Sequence, residues 1–109
     1  MYKRLEAQQY LWNSFCEKLV YENLSVSKSI SNEYDYNLFV KTYNKCIKLS
    51  TKILAIFETL IQLKHRNELQ EDFYIEQMYN IKTISNEIDS LYFDEEFARV
   101  RAKYIDKSI

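Results

Sequence analysis

Apolar residues recur at helical spacing along most of the chain, most clearly between Tyr34 and Lys64. With Phe39 at heptad position a, Phe39, Cys46, Ile53 and Leu60 fall at a, and Thr42, Leu49, Ile56 and Leu63 at d. Ile47, Leu54 and Ile61 fill b, while Tyr43 and Phe57 fill e on either side of Ser50. Positions d, a, e and b adjoin around the helical wheel, so the apolar arc spans about 200°, wider than a two-stranded seam. A helix of that kind has to be covered on two sides. The pattern predicts a long central helix over 34–65, with Phe39, Cys46, Leu49, Ile53, Ile56, Leu60 and Leu63 in the core or at a self-association seam.

The flanking segments are shorter and weaker. Leu5, Trp12, Phe15, Cys16 and Leu19 form one stripe and predict a helix over 3–22. Serines then alternate with Val26, Lys28 and Ile30, so 23–33 is expected to be a polar connector. Lys64, His65 and Arg66 place cations where a helix C-terminus favours them. Asn67 with Gln70 three positions on reads as an N-cap pair for the next helix, 68–92, whose stripe runs from Phe73 to Leu91. The phase slips near Phe93, and Asp94 is placed to cap a fourth helix over 94–106. The hexapeptide Ile30–Asp35 resembles Ile84–Asp89, although the surrounding sequence does not repeat.

Composition narrows the architecture. The 109 residues contain no glycine and no proline, which removes the usual means of building hairpins, tight turns and phosphate-cradling loops. What remains is an all-α chain, one domain over 1–109, folded as an elongated antiparallel bundle of three to four helices. A helix of 30 residues is about 45 Å long, whereas a compact domain of this size is roughly 34 Å across. The central helix must therefore break near Ser50 and Thr51, lie in an elongated bundle, or be covered by a second copy. The wide arc favours the last two and suggests a homodimer.

Charge is unevenly spread over a chain whose net charge is −1. Residues 28–66 carry seven cations and three anions, and residues 67–96 nine anions and one cation. Lys41, Lys45, Lys48 and Lys52 share one helical face, and Glu68, Asp72 and Glu76 form an acidic stripe at the start of the next helix. The simplest expectation is charge pairing between adjacent helices. The lysine stripe is also a candidate surface for an anionic partner, as is the basic tail Arg99, Arg101, Lys103 and Lys107. The overall acidic balance, pI about 5.9, argues against a dedicated nucleic-acid binder. Ten tyrosines and six phenylalanines are a heavy aromatic load, and Tyr2, Tyr10, Tyr34 and Tyr36 are candidates for an aromatic contact surface.

Candidate chemistry is sparse. His65, the one histidine, could join Glu68 and Asp72 as metal ligands, but a helix-end cation among solvated acids is the better reading. Cys16 and Cys46 fall on apolar stripes and read as buried, inert thiols. No catalytic residue, cofactor or metal is expected, and the chain does not read as an enzyme. No apolar run approaches the ~20 residues of a membrane span, and no secretory signal is visible, so a cytoplasmic, thiol-reducing setting is expected. Residues with AT-rich codons (Phe, Tyr, Met, Ile, Asn, Lys) far outnumber those with GC-rich codons, which points to a low-GC bacterium, a phage, a plasmid or a virus of similar composition. The functional expectation is a protein–protein interaction module of the size of small inhibitors, immunity proteins and accessory proteins. A nucleic-acid-associated protein using the lysine stripe and a self-assembling structural component are the alternatives.

Overall fold

In the computed structural model, residues 4–108 are described, with side chains through residue 105. The chain is all-α: α1 Leu5–Val26, a 3-10 turn Ser27–Ser29, α2 Glu33–His65, α3 Glu71–Tyr92 and α4 Glu95–Ser108. α1 and α3 both pack along α2, and α4 lies against the α1/α2 end of the rod. The molecule measures 52 × 21 × 16 Å, with a radius of gyration of 16.5 Å, against about 13 Å for a compact domain of this length. The bundle is elongated. α2 runs 33 residues without interruption, so the expected length conflict is resolved by an extended rod, with no break at Ser50–Thr51.

The deepest seam of α2 follows the heptad in a rotated register. Phe39, Tyr43, Cys46, Ser50, Ile53, Phe57 and Leu60 are all at most 1% exposed, which is the former a and e set. At d, Leu49 is buried while Ile56 and Leu63 are only half-buried. Tyrosine and serine looked less apolar than leucine and isoleucine, yet geometry puts them at the centre. The Tyr43 hydroxyl reaches the Glu22 carboxylate at 2.5 Å, which satisfies its polar tip. Ser50, the smallest side chain of the seam, is fully buried. α1 and α3 together cover the arc, so burying it takes no second copy.

Helix ends explain how a chain without glycine turns its corners. Asn67 adopts φ 58°, the left-handed conformation usually given to glycine. Its N–H bonds the Lys64 carbonyl at 3.1 Å, and the Glu68 N–H bonds the Leu63 carbonyl at 2.8 Å, the paired closure that ends a helix on a left-handed residue. Asn67 therefore terminates α2. It does not cap α3, which begins later than expected after Gln70, a residue whose side chain makes no cap bond. Asn32 caps α2 by accepting from the Asp35 N–H at 3.0 Å, and Asp94 caps α4 through the Phe97 N–H at 3.1 Å, as its position predicts.

α1 extends four residues beyond 22, because Leu19 and Val26 bury on the core and Asn23 bonds Asn44 on α2 at 3.1 Å. The connector is correspondingly short. The repeated hexapeptide takes two conformations: its first copy spans an extended entry and the cap of α2, its second lies inside α3. That divergence favours coincidence over duplication.

Asn67→Ala removes the side chain that tolerates the left-handed region and should lower unfolding free energy by about 1 kcal/mol, whereas Asn67→Gly should leave it unchanged or higher. Urea unfolding of the three proteins reads the order directly.

Candidate functional site

Two outer helices resting on one spine leave a cleft between them. Leu11, Trp12 and Phe15 of α1 face Ile88, Asp89 and Tyr92 of α3 and the adjoining Phe93 across a hollow of about 280 Å³. Phe15 bridges the helices, 5.8 Å from the Trp12 ring and 6.0 Å from the Tyr92 ring, both edge-on. Tyr92 is held in turn by Phe93 at 5.2 Å on one side and by the Arg101 guanidinium, 4.5 Å from its ring centroid. The floor is therefore rigid and aromatic. Its rims are not covered: Leu11 is 66% exposed and Phe93 67%. Asp89 is the charged residue on the wall. A second hollow, between α1 and α2, is polar and is lined by Glu6, Gln9, Tyr10, Asn13, Leu54 and Glu58.

Neither rim residue stood out in the sequence. Leu11 sits beside the Trp12–Phe15 stripe, and Phe93 falls where the helical phase slips, so each looked like noise at the edge of a pattern. An aromatic left over at a phase slip was the available signal.

The sequence-selected residues are dispersed. Tyr10 lines the polar hollow beside Leu54, whereas Tyr34 bonds Glu96 at the opposite end of α2, roughly 30 Å away by helical rise. Tyr36 is exposed near that end, and Tyr2 lies outside the described residues. Two of the four residues of the basic tail are engaged. Arg101 stacks on Tyr92 and Lys103 approaches Asp35 at 3.6 Å. Arg99 is exposed, and the Lys107 side chain lies outside the described residues. Lys41, Lys45, Lys48 and Lys52 are all exposed on the outer face of α2. Among the described residues no ion pair joins them to Glu68, Asp72 or Glu76. The expected pairing of adjacent helices fails because the acids sit beside the C-terminal end of α2, not beside the lysines.

Polar groups that are buried serve the fold. Asp35, 4% exposed, lies in the first turn of α2, where the helix N-terminus favours negative charge, and accepts from the Tyr104 hydroxyl at 3.0 Å. Burial and the Glu22 carboxylate together push the Tyr43 phenol far above its usual range. Burial also raises the Cys46 thiol to about 11. The hydrogen bond from Lys64 holds the Glu6 carboxyl below its usual value, and His65 lies 3.6 Å from the same carboxylate. Among the described residues no three His, Cys, Asp or Glu side chains converge as a metal would require, and no helix is long and apolar enough to cross a membrane.

The chain matches no protein-family model, no curated protein and no solved structure. Function therefore rests on the surface itself.

Two thiols of different exposure give a direct check. Cys46 is buried and Cys16 half-buried, so iodoacetamide at about pH 8.5 should alkylate Cys16 well before Cys46 in the native protein, and both equally in urea. The neutral Cys46 thiol is favoured by folding, so its contribution to stability is full below its unfolded value and is lost as pH rises toward 11. Peptide mass mapping over time measures the ratio.

Proposed function

We propose that the protein is a non-enzymatic protein-binding module whose contact surface is the α1/α3 groove. The observation that carries this reading is the exposure of Leu11 and Phe93, 66% and 67%, above a fixed aromatic floor of Trp12, Phe15 and Tyr92. Monomeric proteins rarely leave large apolar side chains paired around a hollow unless something docks there. A partner helix or loop inserting one or two apolar side chains would bury both rims. Each large side chain so buried contributes about 1.5–3 kcal/mol, and contacts concentrated on a few aromatic anchors typically dominate such interfaces.

A small inhibitor, immunity or accessory protein of a phage, plasmid or low-GC host fits this size and equipment, and the codon preference of the sequence supports that setting. Two free thiols support a reducing cytoplasm. A second reading, contact with nucleic acid through Lys41, Lys45, Lys48 and Lys52, is supported by their exposure and by the lack of an ion pair to them among the described residues. The net charge of −1 weighs against it.

Site-specific photocrosslinking separates the readings. A benzophenone side chain at position 11 or 93 should capture a discrete protein in nuclease-treated host lysate, and one at position 45 should not. With the crosslinker at position 11, Phe93→Glu changes an exposed position only, so that variant should fold normally and lose the adduct. Capture at 45 alone, or adducts that vanish with nuclease, would sink the groove.

A further inference from the structure

The α1/α3 groove carries one charged side chain, and the fold gives that charge nothing in return. Asp89 lines the hollow together with Leu11, Trp12, Phe15, Tyr92 and Phe93. It falls in the last turn of α3, a turn that holds no basic residue. The partial negative charge at a helix C-terminus disfavours a carboxylate there. Asp89 is exposed, and among the described residues no ion pair reaches its carboxylate. The Arg101 guanidinium is taken up on the Tyr92 ring, 4.5 Å from its centroid, and leaves Asp89 unneutralised. What Asp89 contributes to the helix end is its backbone carbonyl, which accepts from the Phe93 N–H at 3.0 Å. Any residue could make that bond.

The surroundings of Asp89 specify what would complement it. Phe93 follows four positions later, so the two are neighbours at the end of α3, and the Phe93 side chain is 67% exposed. A carboxylate beside an open aromatic ring suits a guanidinium, whose edge bonds the carboxylate while its flat face lies on the ring. The rest of the lining is apolar or aromatic and accepts an aliphatic or aromatic side chain. A hollow of about 280 Å³ is at the small end of the range that holds drug-sized ligands, and one or two inserted side chains fill it. The stretch from Glu87 to Glu96, which supplies Asp89, Tyr92 and Phe93, contains five acids and no cation. Approach of a basic segment is therefore favoured at long range, and approach of an acidic one is opposed.

We propose that the groove selects a basic amphipathic segment of another protein, whose arginine meets Asp89 and Phe93 while a neighbouring apolar side chain enters over Trp12 and Phe15. This deepens the groove reading and rests on it. A purely apolar occupant would desolvate Asp89 without supplying a counter-charge, which is costly. An acidic occupant would add repulsion to that cost.

A display library of random 16-residue peptides, selected on the full chain, is the probe. Trp12 is the single tryptophan, so its fluorescence reports occupation of the groove. Selected peptides should carry arginine close to an apolar residue, shift the Trp12 emission, and bind Asp89→Asn more than about tenfold more weakly. They should also lose binding to Phe93→Glu, once circular dichroism has checked that this variant folds. Its added negative charge would strengthen a merely electrostatic attraction, so the loss identifies docking in the groove. Asp89→Asn should unfold at the same urea concentration as the parent or a higher one. Peptides that need Phe93 yet bind Asp89→Asn equally, or that are acidic or uncharged, would overturn the arginine contact and leave the groove reading standing. Peptides indifferent to Phe93→Glu, or no peptides at all, would sink both. A lower urea midpoint for Asp89→Asn would give the carboxylate a structural role and overturn the proposal as well.

Discussion

The structure depends on the burial of one helix from two sides. Seven successive seam residues of α2, Phe39 to Leu60 at alternating steps of four and three, are at most 1% exposed. With half-buried Ile47, Ile56 and Ile61 on either side of this stripe, the apolar arc is too wide for one helix, and α1 and α3 both lie on α2. Their spacing around it leaves a cleft on the side between them, bridged only by large side chains such as Phe15 and Tyr92. The groove is thus a consequence of the spine's geometry. The outward face of α2, left to solvent by the same arrangement, is where the lysines collect.

The buried Tyr43 hydroxyl and Asp35 carboxylate have partners that also fix the ends of this arrangement, whereas the buried Ser50 hydroxyl has none. Tyr43 sits at the centre of the seam and carries a hydroxyl that would be costly to bury alone. Glu22 supplies its partner, which ties the C-terminal half of α1 to α2. Asp35 does the same for α4, through Tyr104 and Lys103, while Phe97 and Val100 bury their apolar face. The aromatic cluster of Phe39, Tyr43, Tyr92 and Phe97 joins α2, α3 and α4 ring to ring. Arg101 then stacks on Tyr92 and braces the groove floor from behind. Fold and candidate site share these residues, so the groove is held by the core.

Much of the architecture was legible in the sequence because helical periodicity and the lack of glycine and proline agree. The all-α class, the long central helix, its two-sided cover and the Asp94 cap all follow from local spacing. The seam register was harder, since hydropathy ranks Leu49, Ile56 and Leu63 above Tyr43 and Ser50. The structure reverses that order, and at Tyr43 a hydrogen bond to Glu22 makes burial of the hydroxyl possible. Asn67 looked like a cap because asparagine favours both caps and left-handed turns, and only the backbone distinguishes them. The pairing of Lys41–Lys52 with Glu68–Glu76 failed for an axial reason invisible in a helical wheel. The groove depends on which side chains two non-adjacent helices leave uncovered, a property of packing that no local pattern carries.

The continuity of α2 is the premise for the rod, the groove and the offset between the charged rows. It is measurable as a distance. Spin labels introduced through non-natural amino acids at the exposed positions Asn37 and Thr59 should be about 33 Å apart at 1.5 Å per residue, in one narrow distribution by pulsed electron resonance. A distance well below that, or a broad distribution from a hinge near Ser50–Thr51, would contradict the continuous spine on which the rest is built.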